Sequence, residues 1–403
     1  MNFAAAVEYL FGLGHEILTL KLGLRNTELL LHALDNPERA FPSVQIAGTN
    51  GKGSVAVMLD SICRAAGIRS GLYTSPHLVS ITERIRIAGA EISEDDFARN
   101  TSTVRNASRR LLASGQIEAL PTFFEQLTAI ALLAFREAGI ELAILETGMG
   151  GRLDSTTAAG AGVVAITPIA MDHEQYLGET IEQIAAEKAA IIRPGVTAVI
   201  GKQDPRALTM LLRRCEETGV QPILTDTPDE PIRIGLRGRH QIDNAAIAIR
   251  LAETLSIPHD AIFSGIESAQ HPGRLELIPH EPPILLDGAH NAAGAEALRD
   301  YLNEFGRHPL TLVFGAMSDK KLDRIGEILF PLADHLILTT IDNSRAASLD
   351  TLQTIAAQFA RGSVTKSESV DDAFHAALRD TPPEGLICVT GSLYLIGEWK
   401  RIT

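Results

Sequence analysis

Positive charge is scarce in these 403 residues: 36 Lys and Arg stand against 50 Asp and Glu, a formal net charge of -14. A duplex nucleic acid needs a basic face, so this balance excludes a nucleic-acid binder. It also requires that any anionic ligand be held by a local positive site. Cysteine is equally sparse. Cys63, Cys215 and Cys388 are far apart and show no metal-type spacing, which fits a reducing compartment without a disulfide framework. No apolar run approaches the ~18 residues of a membrane-spanning helix, so no membrane span or membrane partner is expected. The N-terminal MNFAAAVEYLFGLGHEI carries Glu8 inside its apolar stretch and lacks a basic start and a small-residue cleavage site. It reads as an amphipathic helix, not a signal peptide, and the expected address is the cytoplasm.

What is present is hydrophobic material, 45% of the chain, enough for two or three packed domains. Apolar β-rich runs alternate with helical periodicity. Strands are expected at 43–48, 69–74, 141–146, 163–169 and 197–201, with helices at 53–66, 123–138, 181–192 and 205–218. Near HPGRLE and the Pro-rich IPHEPP the pattern breaks, then resumes with strands at 284–287, 310–314, 335–339 and 386–390 and a helix at 292–305. This predicts an α/β protein in two parts. Residues 1–271 form a P-loop ATPase-type domain with a mostly parallel sheet, and residues 272–403 a smaller Rossmann-like α/β domain.

The strongest local signal is VQIAGTNGKGSVAVML, residues 44–59. A strand runs into GTNGKGS and then into a helix. Such glycines let the backbone fold tightly so that several N–H groups face one anion, and the helix N-terminus adds positive potential. Thr49, Asn50, Gly51, Lys52, Gly53 and Ser54 are therefore candidate triphosphate contacts, with Lys52 reaching the outer phosphates. The spacing departs from the usual P-loop, because Ile46 stands where its first glycine would be and Gly53 replaces the hydroxyl residue after lysine. Phosphoryl transfer between two anions also needs a divalent ion held by hard oxygen ligands. Glu146, at the end of a buried-looking strand before a Gly-rich turn, suits that role.

GTNGKGS, followed by LYTSPHLVSITERIRIAG (72–89), resembles the folylpolyglutamate synthase and dihydrofolate synthase family of the Mur ligase superfamily. The resemblance runs from NFAAAVEYLFGLG to SLYLIGEW, nearly the whole chain. It implies that Ser75, Glu146 and His173 hold magnesium, with two ions and a monovalent cation among the expected cofactors. Lys188, in IAAEKAAIIRPG, matches a lysine that is carbamylated in related ligases; read by itself it is a solvated helix lysine. Asn244 of GRHQIDNAAIAI is implied to reach the adenine, Arg274 of PGRLE the phosphates, and Asp287 of LLDGAHNAAG the ribose. His290 falls near the reacting centre and Ser392 of VTGSLYLIGEW faces the glutamate site. Thr122, Phe124 and Glu125 of PTFFEQLTA, with Arg152, Asp154 and Ser155 of GRLDST, form the implied pterin wall. The aromatic pair Phe123–Phe124 is adequate for stacking a flat heterocycle and equally adequate for helix packing.

The chemistry this implies is ATP-dependent ligation. A folate or dihydropteroate carboxylate takes the γ-phosphoryl group of ATP, and the amine of L-glutamate attacks the acyl phosphate. Lys52, Lys188 and His290 are the candidate catalytic groups, and a monomer is expected. Two other readings compete: a murein-precursor amino-acid ligase of the same superfamily, and a P-loop ATPase or kinase. The DGAHN and TGSLY segments, which a plain kinase does not need, speak against the latter.

Overall fold

The computed structural model describes residues 1–14, 23–227 and 232–402. Its first sheet contains eight strands: β1 (Ser43–Ala47), β2 (Ser70–Tyr73), β3 (Ile85–Ile87), β4 (Ala90–Glu91), β5 (Leu142–Glu146), β6 (Val163–Ile166), β7 (Thr197–Ile200) and β8 (Ile223–Leu224). They lie in the order β4-β3-β2-β5-β1-β6-β7-β8. The six from β2 to β8 in this order are parallel, and β3 and β4 add an antiparallel edge. β1 and β5 are buried along their whole lengths, as expected for parallel strands covered by helices on both faces.

A second sheet holds β9 (Glu276–Ile278), β10 (Ile284–Asp287), β11 (Leu310–Phe314), β12 (His335–Thr339), β13 (Ser363–Ser367) and β14 (Leu386–Thr390). Its order is β13-β12-β11-β14-β10-β9, with only β9 antiparallel. Trp399 and Phe374 pack edge to face in its core.

Helices 123–138, 205–218 and 292–305, and the four strands expected after residue 280, have the expected bounds. The strands of the first sheet are one to three residues shorter than expected. The helix at 181–192 ends earlier, at Ala189, ahead of the turn through Pro194 and Gly195. The N-terminal helix is Phe3–Phe11, and His15–Ile17 of that expectation lie outside the described residues. Short or exposed edge strands went unforeseen: β3 alternates Ile with Arg86, and β13 (SVTKS) is exposed except at Ser367.

Buried Gln45 in β1 pins the segment that follows β5. Its Nε2 donates to Thr157 Oγ1 (2.7 Å), Thr156 Oγ1 (3.0 Å) and Thr147 Oγ1 (3.3 Å). Gln45→Leu strands buried hydroxyls, and is expected to lower unfolding stability by about 1–3 kcal/mol. Urea titration checks this; an unchanged midpoint would show that other contacts hold the segment.

Candidate active site

The loop between β1 and the helix Lys52–Ala65 lies at the carboxyl edge of the sheet, where ligands of parallel α/β folds bind. Gly48 has φ +149°, and a Cβ there would sit 1.9 Å from Thr167 Oγ1. Gly51 caps the helix with φ +88°, and a Cβ there would meet Asn244 Oδ1 at 2.2 Å. The loop therefore closes only with glycine at both positions. No side chain caps the helix, which leaves its first amides for a ligand. Not every loop amide faces inward, however. Those of Thr49 and Asn50 donate to Pro168 O (3.0 and 3.2 Å).

A half-buried lysine and a buried one meet at the Gly48 carbonyl. Lys52 Nζ donates to Gly48 O (3.2 Å) and Thr49 O (3.0 Å), and Lys188 Nζ donates to Gly48 O (2.7 Å). Lys188 is only 3% exposed, so the reading of it as a solvated helix lysine is overturned. Burial, and then the charge of Lys52, pull its pKa down to about 7. Unfolded, Lys188 keeps its proton up to about its ordinary 10.5. Between these two values the unfolded chain binds more protons, so rising pH stabilises the fold. In buffer stripped of carbon dioxide, the melting temperature of wild type minus that of Lys188→Met should therefore increase from pH 7 to pH 9.5. A constant difference would contradict the shifted pKa.

Opposite the lysines, Glu146 at the end of β5 is 5% exposed, and its Oε2 accepts the Ser75 amide (3.1 Å). Burial pushes its pKa up, against the pull of Lys52. His173, with φ +52°, has its pKa pushed down to about 4, first by burial, so the ring is neutral. Among the described residues no three His, Cys, Asp or Glu side chains converge as a metal cluster. The donor set expected from the sequence would be one carboxylate, Glu146, with the Ser75 hydroxyl and the His173 imidazole. It suits an ion that takes most of its ligands from phosphate oxygens and water.

All these groups line one cavity of about 690 Å³, which also takes in every other site residue named from the sequence. Asn244 donates Nδ2 to Gln241 Oε1 (2.9 Å), and Gln241 reaches Ser54 Oγ (3.3 Å), which also contacts His271 Nδ1 (3.3 Å). Arg274 donates to Gly288 O (3.1 Å). The Asp287 carboxylate accepts the amides of Leu275 (2.9 Å) and Ala289 (3.0 Å), which fixes the turn after β10. Ser392 Oγ accepts the Tyr394 amide (3.1 Å).

The proposed pterin wall is partly occupied by local bonding. Thr122 and Glu125 form a reciprocal capping box, and Glu125 also accepts from Thr27 Oγ1 (3.3 Å). Asp154 accepts the amides of Met149 and Thr156 and the Thr156 hydroxyl, while Arg152 is paired with Glu187 (2.6 Å). Ser155 bonds Thr128. The aromatic pair is split. Phe123 is fully buried against Phe11, and Phe124 alone lines the cavity.

The sequence reading missed Asp172, on which three residues converge from beyond the hinge expected near Pro272. Lys320 Nζ donates to its Oδ1 (2.7 Å), Asn291 Nδ2 donates to Oδ2 (3.2 Å), and His290 Nε2 stands 3.6 Å away. Burial alone would raise the Asp172 pKa, but His290, His173 and Lys320 hold it well below the usual carboxylate range. Its signal was its place directly before His173. Lys320 follows β11, a parallel strand whose carboxyl end points at the cleft.

The profile described as "Mur ligase middle domain" matches residues 46–225, and "Mur ligase, glutamate ligase domain" matches residues 273–393. The dihydrofolate synthase/folylpolyglutamate synthase of Bacillus subtilis is 33% identical over 95% of this chain and 95% of its own. A probable bifunctional folylpolyglutamate synthase/dihydropteroate synthase of Halobacterium salinarum is 34% identical over 94% of this chain and 50% of its own. The chain thus spans about half the length of that relative. Mycobacterium tuberculosis folylpolyglutamate synthase complexed with ADP superposes with a TM-score of 0.92 at 32% identity, covering 99% of this chain and 98% of that one. A bifunctional folylpolyglutamate synthase/dihydrofolate synthase with Mn, AMPPNP and L-glutamate bound gives a TM-score of 0.86 at 29% identity, covering 100% of this chain and 98% of that one. With its glycine-rich loop, paired lysines and two-sheet cleft in this company, the chain belongs to the folylpolyglutamate synthase/dihydrofolate synthase family of Mur ligases.

Proposed function

We propose that this protein is an ATP-dependent ligase that joins L-glutamate to the carboxylate of a folate, and to dihydropteroate as well, through an acyl phosphate. The observation that carries this reading is a single cavity holding a phosphate loop with Lys52 and Lys188 on one side and Arg274 and His290 from beyond the hinge on the other. A kinase would need no second sheet over its phosphates. Residues 1–271 serve ATP and the folate, and residues 272–403 serve glutamate. The proposed working form is a monomer.

In the first step a carboxylate oxygen of the folate attacks the γ-phosphorus and ADP leaves. In the second, the glutamate amine attacks the acyl carbon and inorganic phosphate leaves with one of the carboxylate oxygens. Lys52 exchanges its carbonyl partners for phosphate oxygens, and Arg274 approaches from the hinge to offset charge on the transferring group. Asn244 borders the adenine side, Asp287 the ribose side and Ser392 the glutamate. His290 donates Nδ1–H to Gly288 O (2.8 Å), which turns Nε2 towards Asp172 (3.6 Å), and from there the ring would steer phosphate or the incoming amine. Phe124 offers its face to the pterin, beside Arg152 and Ser155.

Ser75, Glu146 and His173 would hold magnesium, which would supply positive charge to offset the phosphates. A neutral Lys188 amine adds to carbon dioxide, releasing one proton and leaving a carbamate anion to support a second ion. Its pKa of about 7 leaves that amine available at neutral pH. Closing the two halves keeps water from the acyl phosphate.

The test is phosphate release by the purified protein with magnesium ATP. Release should require both a folate-type carboxylate and glutamate together. Phosphate formed at the same rate without either would sink the ligase reading. Running dihydropteroate and tetrahydrofolate separately decides whether both are substrates.

A further inference from the structure

The two halves of the chain meet across the cleft through two ion pairs set side by side. Lys320 Nζ bonds Asp172 Oδ1 at 2.7 Å, and Lys321 Nζ bonds Glu174 Oε1 at 2.7 Å. The inner pair is shielded, with side chains 11% and 8% exposed, whereas Lys321 of the outer pair is 60% exposed. Behind the inner pair, Asn291 binds Asp172 and also exchanges amide hydrogen bonds with Asn50 of the phosphate loop (3.0 and 3.4 Å). The contact therefore runs unbroken from Lys321 at the surface to the loop that cradles phosphate.

We infer that Asp172 and Glu174, gripped in tandem by Lys320 and Lys321, form a clasp that registers the C-terminal half on the phosphate loop, and that turnover requires the clasp shut. Asp172 and Glu174 are positioning residues in this account. The catalytic half of the inference rests on the ligase reading; the clasp itself does not. The clasp segment also contains His173, in its left-handed backbone conformation, so shutting it sets where that ring points. The outer pair is screened by salt and controls how readily the halves close, while the inner pair sets the closed geometry.

The outer pair gives the test, because neither Glu174 nor Lys321 lines the cavity. Glu174→Lys and Lys321→Glu should each lower kcat/KM for glutamate by about five- to tenfold, and enlarge the ADP complex in small-angle X-ray scattering. The double reversal, which restores opposite charges, should return both readings to within about twofold of wild type. Unchanged single variants, or a double variant as poor as the worse single one, would overturn the clasp. A wild type that forms no amide product would count against the ligase reading alone, since scattering still reads whether the reversal reopens and recloses the halves.

Discussion

Lys52→Met is expected to reduce turnover by about a hundred- to a thousandfold, the size of effect seen when one preorganised charge is removed from a transferring phosphoryl group. The substitution keeps the length and apolar stem of a half-buried side chain, so the fold should survive. Lys52 Nζ rests on the carbonyls of Gly48 and Thr49, beside Lys188 Nζ on that same Gly48 oxygen. Burial, the largest influence, lowers its pKa, with Glu146 and Asp172 acting in the opposite sense. Such a desolvated ammonium is poised for an anion, because triphosphate replaces weak carbonyl partners with charged ones. Steady-state phosphate release gives the rate and circular dichroism melting checks the fold. A folded Lys52→Met protein with near-normal turnover would remove lysine from the mechanism.

Glu146→Gln should cost at least about a hundredfold in turnover, and raise the magnesium concentration for half-maximal rate by about tenfold or more. Glutamine can still accept the Ser75 amide through its carbonyl oxygen, so the local backbone is kept. What disappears is the negative charge. That charge is already expensive here, because burial raises the Glu146 pKa and Lys52 only partly counters it. The sign follows: the folded carboxyl takes up its proton at a higher pH than a free one, so wild-type activity should begin to fall at a pH above the ordinary carboxylate range as the solution is acidified. Metal titrations at fixed ATP check the charge argument; an unaltered magnesium requirement in Glu146→Gln would contradict it.

Much of this arrangement is legible in the residues themselves. Strands buried on both faces read as plain apolar runs, which is why β5 and β10 are visible by eye, and GTNGKGS announces its own turn. Edge strands such as β3 and β13 are half polar and gain stability only from a neighbour, so no local pattern marks them. Lys188 shows the limit more sharply. On a helix wheel it looks solvated, and only the fold brings the Gly48 carbonyl and a second lysine against it. Phe123 and Phe124 are adjacent in sequence, yet helix geometry sends one into the core and the other into the cleft. Thr122 and Glu125 match a substrate motif and a helix cap equally well, and the observed bonding is that of a cap. Asp172 was hidden for a related reason: its partners at 290, 291 and 320 come from beyond the hinge, at separations no spacing rule connects.

The account stands or falls on a phosphoryl group being captured by the substrate's own carboxylate. A folate substrate labelled with oxygen-18 in its reacting carboxylate should be ligated to glutamate with magnesium ATP, and the released phosphate analysed by mass. One labelled oxygen per phosphate is the predicted result. Phosphate carrying no label, formed together with amide product, would contradict the acyl-phosphate route.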